Sequence, residues 1–101
     1  MKSERYCFTT GGRAKLTHVA IRFRGVVYSL PAPNRHHHVI YEIIRLTGVE
    51  TVDAPTDDQG FLDENGTFLN RHQALVSAEL FDQLKPNEPI RYGMLFSENV
   101  W

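Results

Sequence analysis

The sequence contains one cysteine and no long apolar run. The single thiol, Cys7, cannot form an internal disulfide, which is typical of a protein in a reducing compartment. No apolar stretch approaches the roughly 20 residues that are needed to cross a bilayer, and residues 1–6 lack the apolar run of a signal peptide. We therefore expect a cytoplasmic protein with no membrane partner.

The chain also has almost no net charge, since eleven Lys and Arg oppose twelve Asp and Glu, for a formal charge of -1. Such a balance gives no global field to attract a nucleic acid, so we predict no nucleic-acid partner and expect any anion site to be local. A length of 101 residues with 42% hydrophobic residues predicts a single domain over residues 1–101.

Motifs of covalent or cofactor chemistry are missing as well: there is no nucleophile elbow, phosphate loop or dinucleotide fingerprint. Residues His36, His37 and His38 are consecutive, and consecutive helical residues point about 100° apart, so they cannot all bind one ion. We predict no catalytic residue, metal or cofactor. The alternative is a small hydrolase or nuclease that uses these histidines, with a metal whose other ligands come from elsewhere, such as His18, His72 or Asp58.

Residues 59–74 are the most informative stretch that is present. Two apolar pairs, Phe61-Leu62 and Phe68-Leu69, flank the turn-forming residues 63–66, which predicts a β-hairpin. Asn70 directly precedes a run with helical periodicity, and Gln73 stands three residues later, as in a capping box. The pattern predicts a hairpin that leads into a helix from residue 71 to about 84.

The earlier part of the chain predicts a strand over residues 5–10 and a second hairpin over residues 17–30, which turns at Arg24-Gly25. Prolines at 31 and 33 then end the strand. We expect Asn34 to cap a helix over residues 35–47, with Gly48 as its C-terminal cap.

Short strands are also predicted over residues 49–52 and 90–96. The order of elements predicts an α+β fold, with a small, largely antiparallel sheet and two helices packed on one face. The C-terminal Trp101 should be buried, either in its own domain or against a neighbouring subunit.

The two predicted helix starts carry the same tripeptide, Asn34-Arg35-His36 and Asn70-Arg71-His72. Free N–H groups and the positive end of the helix dipole make such corners suitable for an anion, above all a phosphate. A nucleotide also needs an aromatic surface for its base, and this chain offers Tyr28, Tyr41, Phe61 and Phe68. Core packing explains Phe61 and Phe68 equally well.

Three segments together resemble a group of small phage-encoded proteins. They are Arg-His-His-His-Val-Ile at 35–40, Gln-Gly-Phe-Leu-x3-Gly-x-Phe-Leu-Asn-Arg-x2-Ala at 59–74, and Leu-Phe-Ser-Glu-Asn-Val-Trp at 95–101. The chain departs from that pattern at Asn99, where an aspartate is usual. The group is similar in turn to phage anti-defence proteins that sequester the cyclic ADP-ribose signals of the Thoeris system.

This resemblance implies a homo-oligomeric α+β protein in the host cytoplasm that binds a cyclic or phosphorylated nucleotide signal without cleaving it. It implies a pocket formed by Arg35, His36, His37, His38, Phe61, Asn70, Arg71, Glu98 and Asn99. A protein-binding inhibitor of a host enzyme remains a further alternative.

Overall fold

The computed structural model describes residues 14–101, which form a four-stranded antiparallel sheet and two α-helices. The order of strands across the sheet is β2-β1-β3-β4. The predicted α+β class is therefore confirmed, whereas the predicted strand over residues 5–10, with Cys7, lies outside the described residues. In chain order the elements are β1 (Leu16–Phe23), β2 (Val26–Pro31), α1 (His36–Thr47), β3 (Gln59–Asp63), β4 (Phe68–Asn70) and α2 (Arg71–Leu80).

Both predicted hairpins are confirmed. The β1–β2 turn places Arg24 and Gly25 in the left-handed region, with φ of 53° and 80°, as a tight hairpin turn requires. In the β3–β4 turn the Asp63 carboxylate accepts hydrogen bonds from the backbone N–H groups of Asn65 (2.9 Å) and Thr67 (3.0 Å). This is the local backbone bonding that makes aspartate a favoured turn residue.

A single hydrophobic cluster joins both helices to one face of the sheet. On β1, Val19, Ile21 and Phe23 alternate along the strand and so point to the same face. The helices contribute Val39, Ile43, Ala74 and Ala78 to the same cluster, with Phe61 and Leu95 fully buried beside them. Both helices therefore pack on one face, as the sequence predicts.

Two predicted strands and the predicted end of α2 are wrong. Residues 49–52 form no strand; Val49 and Val52 instead pack against the core from an irregular segment. Residues 90–96 contain only an isolated bridge between Arg91 and Met94, because the chain reverses between these two residues. Helix α2 stops at Leu80 rather than near 84, since Asp82 turns left-handed (φ 54°) and the Gln83 N–H returns to the Ala78 carbonyl at 2.8 Å.

The C-terminal segment folds back between the starts of the two helices. The backbone N–H of Leu95 donates to the carbonyl of Arg71, the residue that opens α2, at 3.0 Å. The Trp101 indole N–H donates to the Asn34 carbonyl at 2.7 Å, and its ring packs edge-on to Phe61. Trp101 thus packs within its own chain.

No helix within residues 14–101 combines the length and apolar character needed to cross a membrane.

Candidate functional site

Helix α2 begins with a complete capping box. The Asn70 side-chain oxygen accepts from the Gln73 backbone N–H at 2.9 Å, and the Gln73 side-chain oxygen accepts from the Asn70 N–H at 3.0 Å. The predicted cap is confirmed. Because its oxygen satisfies a backbone N–H of the first turn, Asn70 stabilises the helix itself.

Helix α1 begins differently, and the prediction that Asn34 caps it is wrong. The capping residue is Arg35, one position later. The Asn34 amide instead donates to the Pro31 carbonyl at 2.7 Å and so closes the turn that follows β2. The two Asn-Arg-His tripeptides are therefore out of register by one residue relative to their helices.

Only half of a capping box forms at α1. The His38 Nδ1 accepts from the Arg35 backbone N–H at 2.9 Å. A guanidinium has no acceptor, so the Arg35 side chain cannot return a bond to the first-turn N–H groups as Asn70 does in α2. The positive end of this helix therefore lacks side-chain capping by its own N-cap residue.

Arg71 is a buried cation that ties three segments together. Only 7% of the residue is exposed, and its two terminal nitrogens donate to the Leu95 carbonyl and the Gln59 side chain, each at 3.0 Å. Its guanidinium lies 4.5 Å from the centre of the Phe96 ring, a cation–π contact. Burial lowers the pKa of Arg71, and the negative charge of Glu98 opposes this by raising it.

His36 anchors α1 to β3. Its Nε2 lies 2.8 Å from the Gly60 carbonyl, and its ring meets Phe61 edge-on at 5.2 Å. Burial, and then the charge of Arg71, lower the pKa of His36 to about 4, although the bond to Gly60 acts to raise it. His36 is therefore neutral at pH 7, and since a carbonyl only accepts, Nε2 carries the proton.

Gly60 itself permits the approach of the neighbouring strand. A Cβ atom at this position would lie 1.9 Å from the backbone oxygen of Leu69 in β4. Glycine is needed here because real side chains never come so close to a backbone atom.

An open cavity of about 310 Å³ lies between the two helix starts and the C-terminal segment. Arg35 lines this cavity, and its Nη1 atom is buried without a hydrogen-bond partner among residues 14–101. His37 is exposed and lines the same cavity, and its ring is tilted by 45° against the ring of His38, with the ring centres 4.1 Å apart. The lining residues are Arg35, His36, His37, Arg71, Phe96, Ser97 and Glu98.

Of the residues that the sequence predicts for the site, Arg35, His36, His37, Arg71 and Glu98 meet at this cavity. The others lie elsewhere. The side chain of His38 bonds the Arg35 backbone and faces a different surface depression with Tyr41. Phe61 is fully buried behind His36, and Asn70 is engaged in its capping box.

Asn99 is also predicted for the site; it lines a neighbouring cavity with Phe96 and Glu98, and its side chain makes hydrogen bonds that support the local backbone. It is 3% exposed, and its side-chain oxygen accepts from the Phe96 N–H at 2.8 Å while its amide donates to the Pro89 carbonyl at 3.3 Å. An aspartate, usual in the resembling proteins, is ionised at pH 7 and could not make the second bond. Asparagine at this position therefore fits the local backbone.

Sequence reasoning missed Phe96 and Ser97 as cavity residues, and Gln59 as a support for Arg71. Phe96 and Ser97 belong to the 95–101 block, but no local pattern indicates that this block lies against α2. Contacts distant in sequence place them there, such as the hydrogen bonds of Leu95 with Arg71, 24 residues away, and of Trp101 with Asn34.

Within the described residues, no group of three or more His, Cys, Asp or Glu side chains is arranged to hold a metal ion.

Comparison with known proteins gives one match. A family model described as phage T4 y16D protein matches residues 15–101, which is most of the chain. Neither the curated proteins nor the solved structures contain a match to this sequence. On the strength of the family match, the chain belongs to the phage T4 y16D protein family and is a small phage protein.

Proposed function

We propose that this phage protein binds and sequesters a cyclic or phosphorylated nucleotide immune signal, of the cyclic ADP-ribose type, in the host cytoplasm and does not cleave it. The observation that carries the proposal is that Arg35 lines the cavity between the two helix starts and that its buried Nη1 has no hydrogen-bond partner in the described part of the chain. The binding site is this cavity.

A buried donor without a partner costs about 1–3 kcal/mol, and more when it is charged. An anion in the cavity would remove that cost, and guanidinium groups match phosphate oxygens particularly well. The N-terminus of α1, which Arg35 caps without accepting a bond, adds favourable potential for negative charge. The structure thus supports a phosphate at Arg35.

The remaining lining suits the other parts of a nucleotide. Arg71 adds a second positive charge, and the exposed ring of His37 offers a flat surface. The Glu98 carboxylate is an acceptor for ribose hydroxyls, a role that acidic residues take in nucleotide sites. The volume of about 310 Å³ lies at the lower end of the roughly 300–1,000 Å³ typical of ligand sites.

The positions of two of the three consecutive histidines support binding without cleavage. His36 is neutral at pH 7 and directs its proton to the Gly60 carbonyl, and His38 uses Nδ1 to hold the Arg35 backbone. Acid–base catalysis requires a side chain within hydrogen-bond reach of the reacting proton. These two imidazoles already serve the fold.

The proposal includes a homo-oligomer. Among the described residues, strand β2 lies at the edge of the sheet and exposes Val26 and Val27, which are 50% and 41% accessible. An edge strand with apolar side chains is a template for pairing with a second copy. Native mass spectrometry should show a multiple of the chain mass; a monomer at tens of micromolar would contradict this part of the proposal.

The test of binding is isothermal titration calorimetry with cyclic ADP-ribose isomers and with cyclic di- and trinucleotides. We expect one of them to bind with a dissociation constant of about 1 μM or tighter, and to be recovered intact after the protein is denatured. Arg35→Ala should weaken that binding by about tenfold or more, the effect of losing one charge-assisted hydrogen bond.

Arg45→Ala is the matched control, because Arg45 is exposed on the other end of α1 and pairs with Glu42. It should bind as the wild type does. Absence of heat for the whole panel at tens of micromolar protein, or recovery of a cleaved product, would overturn the proposal.

A further inference from the structure

A second cavity, of about 250 Å³, adjoins the first. It shares Phe96 and Glu98 with the first cavity and extends from them to Tyr92 and Glu88. We propose that the two cavities form one elongated cleft and that Tyr92 is the residue on which the base of the bound nucleotide stacks. This inference rests on the proposed nucleotide binding and assigns the base end of the same site.

Tyr92 stands in a conformation that a tyrosine adopts only at a cost. Its φ is 59°, the following Gly93 has φ of 63°, and the Met94 N–H closes the turn on the Arg91 carbonyl at 3.0 Å. Two successive left-handed residues define a turn that favours Asn or Asp followed by Gly, and an aromatic residue is disfavoured at the first position.

Packing within the protein does not compensate for this cost. Tyr92 is 82% exposed, the highest value among the large hydrophobic residues of the described chain. Backbone strain held at an exposed aromatic residue beside a cavity is typical of ligand-binding positions. The ring is available for a planar ligand group, since base–aromatic stacking tolerates any base.

The charges along the cleft set the direction of the ligand. Arg35 and Arg71 lie at the first cavity, and Glu88 and Arg91 lie at the second, while Glu98 lines both. The first cavity therefore has two positive side chains and the second has one. Phosphates are therefore favoured at the first cavity. Ribose hydroxyls and the amino groups of a base, which donate hydrogen bonds, are favoured near the carboxylates and Tyr92.

The test compares two probes by calorimetry: cyclic ADP-ribose, which carries a base, and inorganic pyrophosphate, which does not. Tyr92→Asn removes the ring and places a residue suited to the left-handed turn. It should raise Tm, weaken cyclic ADP-ribose binding by about tenfold, and leave pyrophosphate binding unchanged. Tyr92→Trp keeps a stacking surface and should retain the affinity for cyclic ADP-ribose.

Tyr41→Asn is the matched control, because Tyr41 is exposed on α1 outside the cleft. If Tyr92→Asn binds both probes as tightly as the wild type, or weakens both equally, stacking on Tyr92 is wrong while anion binding stands. If the wild type binds pyrophosphate but not cyclic ADP-ribose, the assignment of Tyr92 as the residue that stacks on the base is wrong. If the wild type binds neither probe, both the proposed function and this inference are wrong.

Discussion

The starts of the two helices have the same local sequence and different structures. At α2, Asn70 completes a capping box and Arg71 is buried with two hydrogen bonds. At α1, the cap falls one residue later on Arg35, whose Nη1 is buried without a partner among residues 14–101. The polar groups at the start of α2 are satisfied by the chain itself, whereas Arg35 at the start of α1 lines a cavity and has a buried donor that no described residue accepts.

The difference shows that a repeated tripeptide can form a complete helix cap at one place and, at another, leave a buried donor without a partner among the described residues. The deciding factor is the segment before each helix. Strand β4 runs directly into α2, so Asn70 is in place to cap. The proline turn after β2 uses the Asn34 side chain for its own closure, which moves the helix start to Arg35. The predictions below test this contrast.

The largest effect is expected at Arg71. Arg71→Ala leaves the Leu95 carbonyl and the Gln59 side chain without their donors, and it empties a buried volume. The free energy of unfolding should fall by about 4 kcal/mol, measured by urea denaturation. Arg71→Lys, which keeps the charge but cannot direct two divergent bonds, should lose about half as much. A loss below about 1 kcal/mol for the alanine variant would remove Arg71 from its structural role.

The second effect is a pH dependence that comes from His36. Its pKa is about 4 in the fold and 6.5 ordinarily, so between these values the unfolded chain takes up a proton that the folded chain does not. Stability is therefore complete above pH 6.5 and falls by up to about 1.4 kcal/mol per pH unit as the pH drops towards 4.

His36→Gln provides the comparison for this pH effect, because its amide can still donate to the Gly60 carbonyl and does not titrate. The difference in unfolding free energy between wild type and variant should change across this range. His37→Gln, at an exposed neighbour, should keep the slope of the wild type. If the free energy of unfolding changes with pH in the same way for the wild type and His36→Gln, His36 is not the source of the pH dependence.

A smaller effect separates the two asparagines. Asn70→Ala removes a cap and should lower the free energy of unfolding by about 1 kcal/mol. Asn34→Ala removes a turn bond rather than a cap, and should cost about half of that. Thermal or urea unfolding of both variants decides the matter, and a larger loss at Asn34 would contradict the assigned helix starts.

The smallest effect on stability is expected at Arg35. Arg35→Ala keeps the backbone N–H that donates to His38 and removes a buried donor that has no partner. Removing the unpartnered donor relieves its burial cost, and losing the packing of the side-chain stem opposes that gain, so the free energy of unfolding should fall by no more than about 0.5 kcal/mol. A loss above about 1.5 kcal/mol in urea denaturation would mean that the Arg35 side chain supports the fold instead.

Local sequence patterns predicted much of this fold because their causes are local. The Asp63 turn, the Asn70–Gln73 capping box and the Gly48 cap, with φ of 79°, all depend on neighbours within a few residues. The prediction that Asn34 caps α1 was wrong for an equally local reason. The Asn34 side chain suits a cap, but it donates instead to the nearby Pro31 carbonyl.

The cavity could be predicted only in part. Arg35 and Arg71 are recognisable as cations at helix starts, but their different partners depend on contacts distant in sequence. The prediction of a strand over residues 90–96 missed the turn at Tyr92, because a tyrosine gives no indication of a left-handed backbone. The packing of residues 95–101 against the helix starts likewise depends on long-range contacts, which no sequence periodicity predicts.

The most direct test of the difference between the two helix starts is a crystal structure of the protein with cyclic ADP-ribose. We predict a phosphate oxygen at about 2.8 Å from Arg35 Nη1, with the Asn70–Gln73 capping box unchanged. A ligand whose phosphates lie at the α2 start or away from both starts, with Arg35 Nη1 still unpartnered, would contradict the account.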